Sequence, residues 1–345
     1  MAPPPPPMNA TLSENRRVTM ADVARVAGFH KSTVSLALRN QSGVPLATRE
    51  HICQVAEQLG YRRDPVLDAF NLHRHALQAP RALRALAFVS DLPDRAAFNA
   101  SERHREIFAA ARMEAERLDF ALELFLVSPT ELSPSRLNQI LRARGIVGVL
   151  LGACTGAGGE LALDWPLFST IGIESRDLRP RGDNLSTNYR EAARLAVRQL
   201  RRAGRQRIGF VVAHALGREI EAQLRAGYLV EYRTVARTRP LPFHAIDPDD
   251  ETGLRIWVTT EKPDAIVCCG WDPEPAHSAG FLPPRDLAWA SIDIGLTLPH
   301  LPGIPPLHRE LGRRAVELLA MRLQGNLRGI PTHLSTTLLS VEWRE

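Results

Sequence analysis

Lysine is almost missing from this chain of 345 residues: Lys31 and Lys262 are the only two among 43 basic residues, so arginine carries nearly all the positive charge. Also missing is any apolar run near the roughly 20 residues that a membrane-spanning helix needs. The N-terminal stretch shows no basic-then-apolar targeting pattern, and a cytoplasmic protein is expected. Cysteine is scarce: Cys53, Cys154, Cys268 and Cys269 have no metal-ligand spacing, and the adjacency of the last two discourages a simple bridge, so reduced thiols are expected. No P-loop, nucleophile elbow or metal-spaced histidine pair occurs, so neither an enzyme nor a cofactor is expected. Gly152, Gly156, Gly158 and Gly159 follow a strand-like run, but no convincing helix comes after them, and the loop is expected to line a cleft rather than cradle a dinucleotide.

What is present suits two or three soluble domains, with 44% hydrophobic and 23% charged residues. The net charge is +5. Between Arg16 and His75 nine cations face five anions, so nearly all the excess sits in the first fifth of the chain, where phosphates would be met. The remainder is close to neutral. Residues 1–16, with their proline run, read as a disordered tail.

Residues 18–44, VTMADVARVAGFHKSTVSLALRNQSGV, carry two short amphipathic helices joined by a turn at Gly28-Phe29-His30. Met20, Val23, Ala24 and Ala27 form one buried stripe, preceded by an approximate capping box between Thr19 and Asp22. Val34, Ala37 and Leu38 form the second stripe, leaving Lys31, Ser32, Ser35, Leu36 and Arg39 on the opposite face. A third helix follows with Ile52, Val55, Ala56 and Leu59 on one face, ending at Gly60-Tyr61. In a helix-turn-helix the first helix braces and the second lays its polar face in the major groove. Residues 17–63 are therefore a DNA-binding head.

The order VT-ADVA--AG--KSTVS-AL, then TRE, then GYR, closely resembles the head of the lactose-repressor/galactose-repressor (LacI/GalR) family of bacterial transcriptional regulators. That resemblance implies a homodimer binding a pseudo-palindromic operator, with a hinge at 64–83 and an effector-binding core at 84–345. Lys31 and Ser32, at the start of the recognition helix, are candidates for base contacts; Lys31 as a phosphate contact is the plainer reading. Thr19, Thr33, Ser35, Asn40 and Arg63 are candidate DNA-backbone contacts. Leu36 stands where many family members have arginine, so it can meet a thymine methyl but cannot read guanine. His30 stands where the family usually has serine; imidazole caps poorly, which suggests a phosphate contact or mere tolerance. Phe70 stands where the family's hinge helix carries a leucine wedged into the minor groove; packing on the core is the alternative. Val66 and Leu67 would join two hinge helices.

Beyond the hinge, apolar strands alternate with helices. Strands are expected at 85–91, 121–127, 146–153, 168–173, 207–212, 265–269, 287–293 and 334–343, and helices at 102–118, 133–143, 189–203, 218–232 and 308–324. This pattern implies parallel sheets covered on both faces, too many strands for one sheet, and so two lobes. The resemblance implies the same: two Rossmann-like lobes as in periplasmic binding proteins, with three crossings, expected near Asn188, Ile304 and Ile330.

Open α/β sheets bind ligands beyond the carboxyl ends of their strands. Those ends are Asp91, Cys154, Glu174, His214, Trp271-Asp272 and Asp293. Asp293 matches the family's cleft aspartate. Trp271 stands where relatives usually have asparagine; beside Asp272 it suits a sugar, or it simply fills the cleft. The family's effector-binding arginine is replaced by Leu224, and Arg225 or Arg218 is a possible substitute. The segment Pro273–Pro284 is proline-rich where a helix is expected. The expected activity is regulation, as a repressor, of transcription under control of a sugar-like effector; a cleft that no longer answers to a ligand is the alternative, and an enzyme on the same architecture a remote one.

Overall fold

A computed structural model describes residues 18–38, 44–61, 83–129, 131–154, 160–213, 216–235, 240–246, 251–271, 287–293 and 301–345. The chain divides into two compact units, Met1–Ala82 and Leu83–Glu345. The expected hinge residues Val66, Leu67 and Phe70 lie outside the described residues.

In the first unit, α1 (Met20–Ala27), α2 (Lys31–Leu38) and α3 (Leu46–Gln58) enclose a small core. Val23, Val34 and Ile52, one from each helix, are fully buried at its centre. The start of α1 is fixed reciprocally: the Asp22 amide donates to Thr19 Oγ1 at 3.4 Å and the Thr19 amide to Asp22 Oδ2 at 2.9 Å. Its end is set by Gly28 in the left-handed region, φ 75°, which turns the chain into α2.

The second unit has two parallel sheets. Lobe 1 holds β1 (Arg84–Ser90), β2 (Phe120–Leu126), β3 (Gly148–Gly152), β4 (Ser169–Ile173), β5 (Asn184–Thr187) and β11 (Thr336–Leu339), in the order β11-β5-β4-β3-β1-β2. Its helices are α4 (Arg95–Ala100), α5 (Glu102–Arg117), α6 (Pro134–Ala143) and α10 (His308–Gln324). Lobe 2 holds β6 (Ile208–Ala213), β7 (Phe243–Ile246), β8 (Ala265–Cys269), β9 (Ala288–Ile292) and β10 (Gly303–Ile304), in the order β10-β9-β8-β6-β7, with α7 (Tyr189–Arg202), α8 (Arg218–Val235) and α9 (Glu251–Glu261). The central strands β3, β4, β6 and β8 are buried along their whole length, as strands covered on both faces must be. Two glycines permit close helix crossings. A Cβ at Gly312 on α10 would lie 2.2 Å from the Ile107 carbonyl of α5, and one at Gly227 on α8 would lie 2.1 Å from the Arg190 carbonyl of α7.

The chain passes from lobe 1 to lobe 2 at Asn188 and back between Ile304 and His308, as expected. The third crossing is not near Ile330. After α10 the chain stays in lobe 1: Ser169 Oγ donates to the Leu327 carbonyl at 2.7 Å, the Gly329 amide to Phe168 at 2.9 Å, and the Ser335 amide to Asp183 Oδ1 at 2.8 Å. β11 then pairs with β5, and only beyond Leu339 does the chain cross, with Val341 and Trp343 packing on the lobe 2 core and Arg344 bonding Gly303. The single strand expected over 334–343 is thus cut to four residues, because its two halves serve different lobes.

Candidate functional site

On α2 the sequence places its apolar residues inward and its short polar ones outward. Val34 and Ala37 are buried, Lys31, Ser32 and Leu36 are exposed, and Thr33 and Ser35 are half-buried. His30 differs from expectation. Its carbonyl accepts the Val34 amide at 3.1 Å, which makes it the N-cap, and its imidazole Nδ1 accepts the Ser32 amide at 3.3 Å and lies 2.7 Å from Ser32 Oγ. The ring therefore accepts a first-turn amide as a serine would, and the reading of His30 as a poor cap is corrected. Thr19 is occupied in the α1 capping box. Asn40 and Arg63 lie outside the described residues.

Strand ends of both lobes meet at Arg103, where Glu174 after β4 and Asp293 after β9 both act on its charge. Three non-glycine residues that follow strands there, Ala153, Glu174 and Asp293, have φ of 52°, 51° and 74°. Such left-handed backbone is costly and clusters where a structure holds a functional group in place. The Glu174 side chain is fully buried; it accepts the Thr187 amide at 3.1 Å and pairs with Arg103 at the start of α5. Burial opposes the charge on Arg103, but Glu174, then Tyr189 and Asp293, more than offset it and raise its pKa. Next to it, burial and then Arg103 push His104 down to about 4, so this ring is neutral at neutral pH. Tyr189, first on α7, is held well above its usual pKa by burial and then by Glu174. Across the lobes, Asp293 Oδ1 lies 3.3 Å from His308 Nε2, and His308 Nδ1 lies 3.9 Å from Glu106.

Among the expected cleft residues, Asp293 and the half-buried Asp91 keep their places at strand ends. Cys154 does not line the cleft: it is buried among Leu161, Leu163 and Phe168, with its thiol donating to the Val89 carbonyl at 3.5 Å, and burial raises its pKa. Arg225 does not replace the missing arginine. It bonds Glu221 at 2.7 Å and lies over the ring of Phe243, the first residue of β7, at the sheet end away from the cleft. Leu224 and Ile220 are buried in the lobe 2 core, and Arg218 is exposed at the start of α8. Trp271 packs against Trp289 with ring centroids 6.0 Å apart, beside Leu301 and the cluster around Trp257. Asp272, His214 and Pro273–Pro284 lie outside the described residues. Among the described residues no group of three or more His, Cys, Asp or Glu could hold a metal ion, and no helix is long and apolar enough to cross a membrane.

Residues 19–64, the three-helix head, match the family of bacterial regulatory proteins described as the lacI family. The match covers the head alone. The HTH-type transcriptional regulator TreR of Escherichia coli K12 is 27% identical over 166 residues, which are 47% of each chain. AscG of the same organism is 30% identical over 139 residues, covering 36% of this chain and 41% of its own. The chain thus spans about half the length of the curated relatives it matches. The two-lobed fold continues the likeness. The transcriptional regulator CelR in its cellobiose complex superposes with a TM-score of 0.58 at 18% identity, over 95% of this chain and 99% of its own. The lac repressor dimer bound to operator and the anti-inducer ONPF superposes with a TM-score of 0.54 at 18% identity, over 96% and 98%.

Within this two-lobed core, sequence reasoning missed Arg103, Tyr189, Glu106 and His308. Nothing sets Arg103 apart in a chain so rich in arginine, and its partner Glu174 is 71 residues away. Glu174 itself was legible as a strand end, but not as a buried acid.

Proposed function

We propose that this chain is a homodimeric, sequence-specific DNA-binding transcriptional regulator, a cytoplasmic repressor and not an enzyme, whose operator affinity is set by a small sugar-like molecule bound between the two lobes. The observation that carries the reading is α2: an exposed face of Lys31, Ser32 and Leu36 on a helix braced by buried Val34 and Ala37, in a head of net positive charge. Such a face fits a major groove, with Lys31 and Ser32 at base edges, and Thr33, Ser35, Asn40 and Arg63 on the backbone. Phe70 would wedge into the minor groove at the operator's centre. In the core, Asp91, Trp271, Asp272 and Asp293 are the proposed effector contacts. Structures similar to this one include CelR with cellobiose and the lac repressor with operator, which supports both halves of the proposal.

A second reading keeps the DNA-binding head and drops the effector. It draws on the burial of Leu224 and Ile220 in the lobe 2 core and on the packing of Trp271 against Trp289, which commit these side chains to apolar contacts. Footprinting of bound genomic sites, followed by a thermal-shift screen with the sugars processed by neighbouring gene products, tests both. A ligand that binds only the native state raises its melting temperature. Bound palindromic sites with a ligand-dependent shift support the full proposal; bound sites with no shift support the second reading; no preferred sites contradict both.

A further inference from the structure

Helix α8 of lobe 2 begins without a cap of its own. Gly217 holds the N-cap position, its carbonyl accepting the Glu221 amide at 3.2 Å, and it has no side chain to serve the amides of the first turn. The acceptor comes from lobe 1. Asp177, on the loop between β4 and β5, accepts the Glu219 amide on Oδ2 at 3.2 Å. Glycine at 217 is what lets it approach: φ there is 86°, and a Cβ would stand 2.9 Å from that same oxygen. The contact is reinforced by charge. The Glu219 carboxylate lies 3.2 Å from Arg176 and 3.9 Å from Arg181, both on the same lobe 1 loop.

We infer that Asp177 is a trans-lobe helix cap and that residues 174–183 form a strap closing lobe 1 onto lobe 2. An acid at a helix N-terminus is favoured by the helix dipole as well as by its hydrogen bond, so Asp177 suits the place it takes. Parting the lobes would remove the acceptor from Glu219 and separate Arg176 and Arg181 from its carboxylate. Lobe opening and fraying of the first turn of α8 are therefore one event, and Asp177 is the residue that couples them. Asp293 and His308 add a second inter-lobe contact, next to the crossing into α10.

Hydrogen exchange on the full-length protein, with small-angle scattering on the same samples, tests the strap. Asp177→Ala should speed exchange at the Glu219–Glu221 amides by about five- to tenfold, the usual effect of a lost cap, and should enlarge the radius of gyration. Asp177→Asn, which keeps an acceptor, should stay near wild type in both measurements. Glu219→Gln, which keeps the amide bond and weakens the two arginine pairs, should speed exchange about twofold; this variant decides the matter if Asp177→Ala does not fold. Unchanged exchange in the variants would overturn the proposal. Faster exchange with unchanged scattering would overturn it too, since the cap would then be local and no strap.

Discussion

Glu174→Gln is the perturbation whose size follows most directly from the geometry. The side chain is fully buried, and its two bonds go to the Thr187 amide and to Arg103, which is 18% exposed. Glutamine keeps a carbonyl for Thr187 and removes only the negative charge, leaving the Arg103 guanidinium desolvated and unpaired. Removing one partner of a buried ion pair costs about 3–5 kcal/mol. Because Arg103 keeps some access to water, we expect the lower end, about 3 kcal/mol, which for a unit this large lowers the melting temperature by about 6–12 °C. The assay is urea unfolding of the single variants Glu174→Gln and Arg103→Met and of the pair. The double variant should recover at least half of the Glu174→Gln loss, since it removes the stranded charge along with its partner. A loss below about 1 kcal/mol, or single effects that simply add, would refute the reasoning that Glu174 holds the charge of Arg103.

His104 makes stability depend on pH. Its pKa in the fold is about 4, set by burial and then by Arg103, against about 6.5 unfolded. The unfolded chain thus takes the proton first. Stability is complete above pH 6.5 and falls as pH drops towards 4, by up to about 3 kcal/mol, and His104→Gln should flatten that part of the curve when the two profiles are subtracted. His30→Ala removes the imidazole that accepts the Ser32 amide and should cost the head about 1 kcal/mol, with His30→Ser restoring it; amide exchange over α2 reads both. Gly227→Ala puts a Cβ 2.1 Å from the Arg190 carbonyl and should cost about 1–3 kcal/mol of core stability by denaturant unfolding, with operator contacts unaltered.

The parts legible in the sequence are those where short-range periodicity and final burial coincide. The stripe Val23, Ala24 and Ala27 and the pair Val34 and Ala37 are buried as their spacing requires, and the central strands of both lobes are apolar runs that end where they were expected within a residue or two. Short elements escaped because they lack a period to read. β5 is the polar Asn184–Thr187, β7 is four residues, and β10 is two. α9, Glu251–Glu261, mixes glycine and β-branched residues and gives no clean stripe. The late crossing was hidden because 334–343 alternates well enough for one strand, while partners in two lobes divide it. The cleft resisted reading for a related reason. Arg103 and Glu174, and Asp293 and His308, meet only through the fold. Arg225 looked suitable by its position in the sequence, yet helix phase carries it to Phe243 instead.

The central claim is that the face of α2 reads DNA sequence, and selection of bound sites from a random DNA library by wild type and Lys31→Ala tests it most directly. Lys31 is exposed at the first position of the helix, with Ser32 beside it and Leu36 one turn on. The account predicts that wild type selects a two-fold symmetric site, and that Lys31→Ala loses preference at one position in each half-site, worth ~1–3 kcal/mol of discrimination. Binding to random DNA should change much less. Equal weakening on selected and random sequences would instead make Lys31 a phosphate contact, and a wild type that selects no symmetric site would contradict the account as a whole.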